Sequence, residues 1–185
     1  MAHAVDASRC EAVQEARPDP APLLVVAVGN PSRGDDAIGP LLVERLREAG
    51  VEAGGRVELL TDFQLQVEHA LDLAGRCAVL FVDAALPGHA GPDGVLLQRL
   101  QPDEAVPAAS HALRPGAVLR VFRDVHGTEP PPAWLLAVEG ESFELGAGLT
   151  PRAGAHLESA VAAARAWLHA YDPASCVSPN PCPSS

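Results

Sequence analysis

The sequence predicts one α/β domain, a three-layer sandwich in which a twisted, mostly parallel sheet is flanked by helices. Short continuous apolar runs, such as residues 23–28 and 78–82, are typical of strands that are buried on both faces. Segments with helical spacing separate these runs, and the resulting β-α-β-α-β order predicts parallel pairing with right-handed crossovers. A chain of 185 residues is long enough for one sizeable core and too short for two independent domains.

The first half of the chain is predicted to alternate three strands with two helices. Gly29 ends the first strand, and Gly50 supplies a C-terminal stop for the first helix. Gly75 closes the second helix in the same way. The predicted strands cover residues 23–28, 56–60 and 78–82, and the predicted helices cover residues 36–49 and 66–73.

The second half begins with a predicted strand over residues 94–100, followed by an ambiguous segment over 116–122. Residues 134–138 (WLLAV) predict a further strand. A long Ala-rich helix is predicted from Thr150, with Pro151 in its first turn, through Leu168. The folded domain is therefore predicted over 23–171, between a disordered N-terminal extension (1–22) and a disordered Pro/Ser/Cys-rich tail (172–185).

Composition excludes several classes of function. Acidic residues outnumber Lys and Arg by 24 to 13 without a basic cluster, which argues against binding to nucleic acid or to anionic lipid. No apolar run approaches the roughly 20 residues of a membrane-spanning helix, and the N-terminus lacks the hydrophobic segment of a secretory signal, so we expect a cytoplasmic protein. The four cysteines form no CxxC pair, and Cys77 is expected to be a small buried apolar side chain.

Carboxylates follow the ends of three predicted parallel strands. Asp35 and Asp36 follow the first strand, Asp62 the second and Asp83 the third, and ligands gather at this edge of a parallel sheet. Such crowding of negative charge is costly unless a cation or protons share the site. The alternative for Asp35 and Asp36 is capping of the following helix, and for Asp62 and Asp83 a cap or turn.

The motifs of several other chemistries are missing. The glycine spacing of the loop from Gly29 to Gly34 matches a phosphate loop, but Asp35 and Asp36 stand where Lys and Ser or Thr are needed. The motifs GxGxxG, GxSxG, HExxH and CxxC do not occur. Their absence argues against dinucleotide binding, α/β-hydrolase serine chemistry, zincin chemistry and thioredoxin chemistry, in that order. An acidic metal site remains. His111, in SHALRP, would more often be a surface residue if considered alone.

Four segments together resemble the [NiFe]-hydrogenase maturation endopeptidases. They are VVAVGNPSRGDDAIGPLLVERL (25–46), LFVDA (80–84), SHALRP (110–115) and LLAVEG (135–140), and their order and spacing also match. The GNPxxGDDxxG loop is the most specific part. The resemblance spans about residues 23–168.

The resemblance implies a metal-binding and catalytic site made of Asp36, Asp83 and His111. Carboxylate oxygens and an imidazole can hold a divalent first-row metal, and three protein ligands leave positions open for the substrate. The implied activity is removal of a C-terminal peptide from the nickel-loaded large-subunit precursor of a [NiFe] hydrogenase. The nickel is supplied by that precursor and serves as the recognition element. Whether it positions the carbonyl, polarises it or activates water stays open.

Some positions depart from the family or stay undecided. Many members carry a glycine-rich stretch after the second strand's aspartate, whereas this chain has Phe63-Gln-Leu-Gln66, so Asp62 is a reserve candidate only. Gly29 and Gly34 are expected to shape the loop, and Asn30 to bond within the loop or to the substrate. Asp35 is expected to support the helix terminus, with orientation of a metal-ligating side chain as the less favoured alternative. The alternatives are a non-proteolytic chaperone that binds the nickel site of the precursor and, less favoured, a flavodoxin-like nucleotide binder.

Overall fold

The computed structural model of the protein describes residues 19–104 and 113–171. Within this part of the chain, no helix is long and apolar enough to span a bilayer. A 3-10 turn (Gly34–Ala37) leads directly into the first α-helix. The strands and helices follow in the order β1 (Leu23–Val28), α1 (Ile38–Glu48), β2 (Val57–Asp62), α2 (His69–Asp72), β3 (Ala78–Ala85), β4 (Val95–Arg99), α3 (Pro115–His126), β5 (Ala133–Glu139) and α4 (Pro151–Ala170).

The five strands form one sheet in the order β2-β1-β3-β5-β4. Strands β1, β2, β3 and β5 are parallel, and β4 joins the far edge antiparallel to β5. The predicted mostly parallel α/β fold is therefore confirmed. The parallel strands all end at the same edge of the sheet, at Val28, Asp62, Ala85 and Glu139, and we call this edge the C-terminal rim.

Apolar clusters cover both faces of the sheet. On one face, side chains of β1 such as Val25 and Ala27 pack with α1 and α4. On the other face, Leu24 and Val26 pack with the α2 and α3 segments. Every residue of β1 is buried because its side chains alternate between the two clusters, and this explains the continuous apolar run in its sequence.

Several predicted boundaries shift for identifiable reasons. β3 continues to Ala85 because its last residues pair with β5 as far as Glu139, so Asp83 lies inside the strand rather than after it. The ambiguous segment 116–122 belongs to α3, which Pro115 opens and Gly127 closes with a φ of 66°. The second helix is shorter than predicted. Cys77 is half-buried and disulfide-bonded, so the expectation of a plain buried apolar side chain is wrong.

Candidate active site at the C-terminal rim

The loop after β1 is folded tightly onto the start of α1. Gly29 has a φ of 146°, and a Cβ atom there would overlap the carbonyl oxygen of Asp36. The Asn30 side chain accepts the Ser32 N–H through Oδ1 at 2.9 Å, and the Asn30 N–H donates to Asp36 Oδ2 at 2.8 Å. Asn30 thus bonds within the loop, and the glycine has the loop-shaping role that the sequence predicts.

Asp35 is fully buried and joins this loop to a distant segment. Its Oδ2 accepts the N–H groups of Glu141 at 2.7 Å and Ser142 at 3.0 Å, and its Oδ1 accepts that of Thr150 at 2.7 Å. The Thr150 hydroxyl donates to Oδ2 at 2.9 Å and accepts the Ala153 N–H, which makes Thr150 the N-cap of α4.

The predicted role of Asp35 as support for its own helix terminus is therefore wrong. The side chain makes no capping bond to the 3-10 turn or to α1, and instead it fixes the segment between β5 and α4. Burial raises the pKa of Asp35, but the backbone bonds from Thr150, Ser142 and Glu141 outweigh it, so the pKa lies below the usual 3.8. Asp35 is ionised and satisfied by protein donors.

Asp36 and Asp83 place two interacting negative charges at the C-terminal rim. Both are half-buried, Asp36 in the 3-10 turn and Asp83 near the end of the neighbouring strand β3. Burial and the negative charge of Asp36 raise the pKa of Asp83 to about 6, despite one bond from the Ala84 N–H. The fold thus brings two of the three predicted site residues, Asp36 and Asp83, close enough for their charges to interact.

The third predicted site residue, His111, lies outside the described residues. Within residues 19–104 and 113–171, no group of three or more His, Cys, Asp or Glu side chains is arranged to hold a metal ion. The carboxylates of Asp36 and Asp83 are hard oxygen donors with a combined charge of −2 when both are ionised, so the pair suits a divalent cation that gains further ligands from elsewhere.

Asp62 lies at the same rim, at the end of β2, and has an imidazole partner that the sequence did not indicate. His69 is buried, and its Nε2 is 3.6 Å from Asp62 Oδ2. On the other side of the ring, Nδ1 lies 2.9 Å from the backbone nitrogen and 3.3 Å from the carbonyl oxygen of Gln66, so Nε2 is the ring nitrogen that faces the carboxylate. The seven-residue spacing of the two side chains gave no sign of this contact.

Glu139 fixes a second loop of the rim. Its side chain is buried at the end of β5, where Oε2 accepts the Gly88 N–H at 2.8 Å and Oε1 accepts a bond from Arg152 at 3.1 Å. The Glu139 carbonyl oxygen lies 2.7 Å from Nδ1 of His156. These contacts bind the loop after β3 to β5 and α4, and they restrain the backbone that follows Asp83.

The fold and the rim define a three-layer α/β protein with a repelling acid pair where parallel strands end. No family model matches the chain. It is 32% identical over 145 residues to the hydrogenase 2 maturation protease of Escherichia coli K12, a match that covers 75% of this chain and 85% of that protein. This chain therefore belongs to the hydrogenase maturation protease family, and it is a hydrolase of the peptidase class.

Solved structures agree with this assignment. The hydrogenase-maturating endopeptidase HybD from E. coli superposes with a TM-score of 0.62 at 29% identity, over 80% of this chain and 92% of that one. An endopeptidase from E. coli, solved in solution, gives a TM-score of 0.61 at 31% identity over the same shares. The maturation protease HycI from Thermococcus kodakarensis, at 23% identity, 80% and 93% coverage and a TM-score of 0.60, supports the fold alone.

Replacing the buried anchor should cost stability. Asp35→Ala leaves four donors of residues 141–150 without their acceptor, so we expect the free energy of unfolding to fall by about 3 kcal/mol or more. The matched control Asp36→Ala should change it by less than about 1 kcal/mol. Chemical denaturation at pH 7 measures both. Because the pKa of Asp35 is lowered, its contribution is present above pH 3.8 and is lost below it. Equal losses of stability from the two substitutions would contradict the role of Asp35 as an anchor for residues 141–150.

Replacing Asp83 should have the opposite effect on the free energy of unfolding. Its raised pKa means that the folded protein holds the proton more tightly than the unfolded chain, so stability falls as the pH rises from 3.8 to about 6. In the metal-free protein, Asp83→Asn should therefore raise the free energy of unfolding by about 2 kcal/mol at pH 7.5 and by much less at pH 4. Asp93→Asn, on an exposed loop, is the control. A loss of stability at pH 7.5 would contradict the raised pKa of Asp83.

Proposed function

We propose that this protein removes a C-terminal peptide from the large-subunit precursor of a [NiFe] hydrogenase in the cytoplasm. The nickel ion that the precursor already carries is the recognition element in this proposal. The observation that carries it is the electrostatic contact between Asp36 and Asp83, which the neighbouring C-terminal ends of β1 and β3 bring together in a fold shared with hydrogenase maturation proteases.

The negative charges of the acid pair would attract the nickel ion. Burial raises the pKa of Asp83, and repulsion by the negative charge of Asp36 raises it further. A divalent cation would offset that repulsion, and imidazole from His111 would complete a mixed oxygen and nitrogen donor set suited to nickel. Open positions on the ion would remain for groups of the precursor, so the ion would be shared between the two proteins.

The residues of this chain then have distinct tasks. Asp36, held by the Asn30 N–H, and Asp83, at the end of β3, orient the loaded precursor through its ion. Bound nickel can position or polarise a scissile carbonyl or activate water. Asp35 and Glu139 are positioning residues, because each acts by fixing loops of the rim to the elements behind it.

The test compares nickel-loaded and nickel-free precursor. Each form is mixed with purified protein, and intact mass spectrometry follows the large subunit. We expect a C-terminal peptide to be lost from the loaded form only. Cleavage of both forms equally would contradict nickel recognition. Binding of the loaded precursor with an unchanged mass would instead support a non-proteolytic chaperone.

Substitutions at the rim should separate activity from stability. Asp36→Asn, Asp83→Asn and His111→Ala should each lower cleavage at least 100-fold, because each removes a ligand for the shared ion. Asp83→Asn is the most informative, since it should be both inactive and more stable than the wild type at pH 7.5. The control Asp93→Asn should cleave normally. An Asp83→Asn variant with full activity would show that this carboxylate has no role in the reaction.

A further inference from the structure

The edge strand β2 has an outward-facing backbone position next to the candidate active site. β2 is the outermost strand of the described sheet and pairs with β1. The Gly29 N–H donates to the Asp62 carbonyl oxygen, so Asp62 directs its backbone groups toward β1. Backbone groups alternate in direction along a parallel strand, and the N–H and C=O of Thr61 therefore point away from the sheet.

The N–H groups that face outward on either side of Thr61, at Leu59 and at Phe63 just after β2, are already bonded. The Leu59 N–H donates to Glu52 Oε1 at 3.3 Å, and the Phe63 N–H donates to Asp62 Oδ1 at 2.6 Å. Side chains thus cover the edge on both sides of Thr61, in the way that proteins protect an edge strand from unwanted pairing. The outward donor and acceptor of Thr61 lie between these two protected positions.

Two cavities meet at Thr61. One, of about 210 Å³, is bounded by Gly29 and Phe63, and the other, of about 420 Å³, reaches Leu41 and Leu149 along α1. Pro31, Pro40 and Thr61 line both, so the two form one continuous groove between the end of β2 and the start of α1. The end of the groove near Phe63 is mostly apolar, whereas Glu44 and Arg47 add charged side chains to its part along α1. Phe63 is 67% exposed.

The groove is continuous with the acid pair. Gly29 and Asp62 line its inner end, and the loop that follows Gly29 bonds to Asp36 through the Asn30 N–H. A chain lying in the groove would run past the loop that carries Asp36. An extended polypeptide segment suits such a place, because it offers main-chain donors and acceptors to a strand edge and side chains to apolar walls.

We propose that the substrate segment next to the scissile bond binds in this groove as an added β-strand, paired with the backbone of Thr61. The inference rests on the proposed function, since it assigns the binding mode of the same substrate. Thr61 is a positioning residue in this arrangement: its N–H and C=O hold the segment, and Asp36 and Asp83 take the ion. The contact is short, so it fixes direction and register more than it adds affinity.

The first experiment changes the backbone of Thr61 without breaking the sheet. Thr61→Pro removes the outward N–H, and proline is tolerated on an edge strand where the N–H faces away from its neighbour. We expect the KM for nickel-loaded precursor to rise about tenfold with little change in kcat. The matched control Thr61→Val keeps the N–H and should stay within about twofold of the wild type. Circular dichroism and thermal melting check that both variants fold.

The second experiment leaves the protein unchanged and modifies the substrate. Precursors are prepared by ligation with single N-methyl groups at successive residues around the scissile bond, and both binding and cleavage are measured. Pairing with Thr61 alone predicts that one N-methyl group, at the residue whose N–H meets the Thr61 carbonyl oxygen, weakens binding about tenfold or more, while the residues on either side have little effect. This series decides the matter even if Thr61→Pro does not fold.

The outcomes separate the two proposals. Cleavage with an even or absent effect of N-methylation would overturn the added strand and leave the proteolytic function intact. Loss of binding confined to one N-methylated position, without any cleavage of the unmodified precursor, would support the added strand and overturn the proteolytic function. A precursor that neither binds nor is cut would overturn both.

Discussion

The arrangement of the rim depends on the buried carboxylate of Asp35. It gathers donors from Glu141, Ser142 and Thr150, which lie 106 to 115 residues further along the chain. Residues of a 3-10 turn are spaced about 120° apart around its axis, so an Asp35 that points into the interior turns the next side chain, Asp36, to another side. Two consecutive aspartates therefore have opposite environments, one satisfied by protein donors and one facing another negative charge.

Much of the fold could be predicted from local patterns. Apolar runs mark strands such as β1 whose two faces are both buried, and Pro151 and Gly50 mark helix ends by conformational preferences that act over a few residues. The extent of β3 could not be predicted in this way, because Ala84 and Ala85 have no strong strand preference and are extended only by pairing with β5. A strand end that is set by pairing with another strand cannot be predicted from the residues around it alone.

The candidate site likewise has features that could be predicted from the sequence and features that depend on distant contacts. The topological rule that ligands gather where parallel strands end predicts that Asp36 and Asp83 share one rim with Asp35 and Asp62, and the family resemblance then singles out Asp36 and Asp83. The anchor role of Asp35 depends on donors from a segment far along the chain, and the contact of His69 with Asp62 depends on which face of a short helical segment is buried. Sequence spacing specifies neither. His111 lies outside the described residues, so its place beside the pair stays a prediction.

Burial of Asp83 and its repulsion by Asp36 disfavour the ionised pair in the free protein, and under the proposed function the same negative charges give the site its selectivity. A precursor that brings a divalent ion offsets the two negative charges, and the free energy that had been lost to repulsion becomes part of the binding free energy. A precursor without the ion brings nothing that offsets them and would in addition bury the pair further from water. Discrimination between loaded and empty precursors therefore needs no conformational switch, because it follows from the charge that the rim already carries.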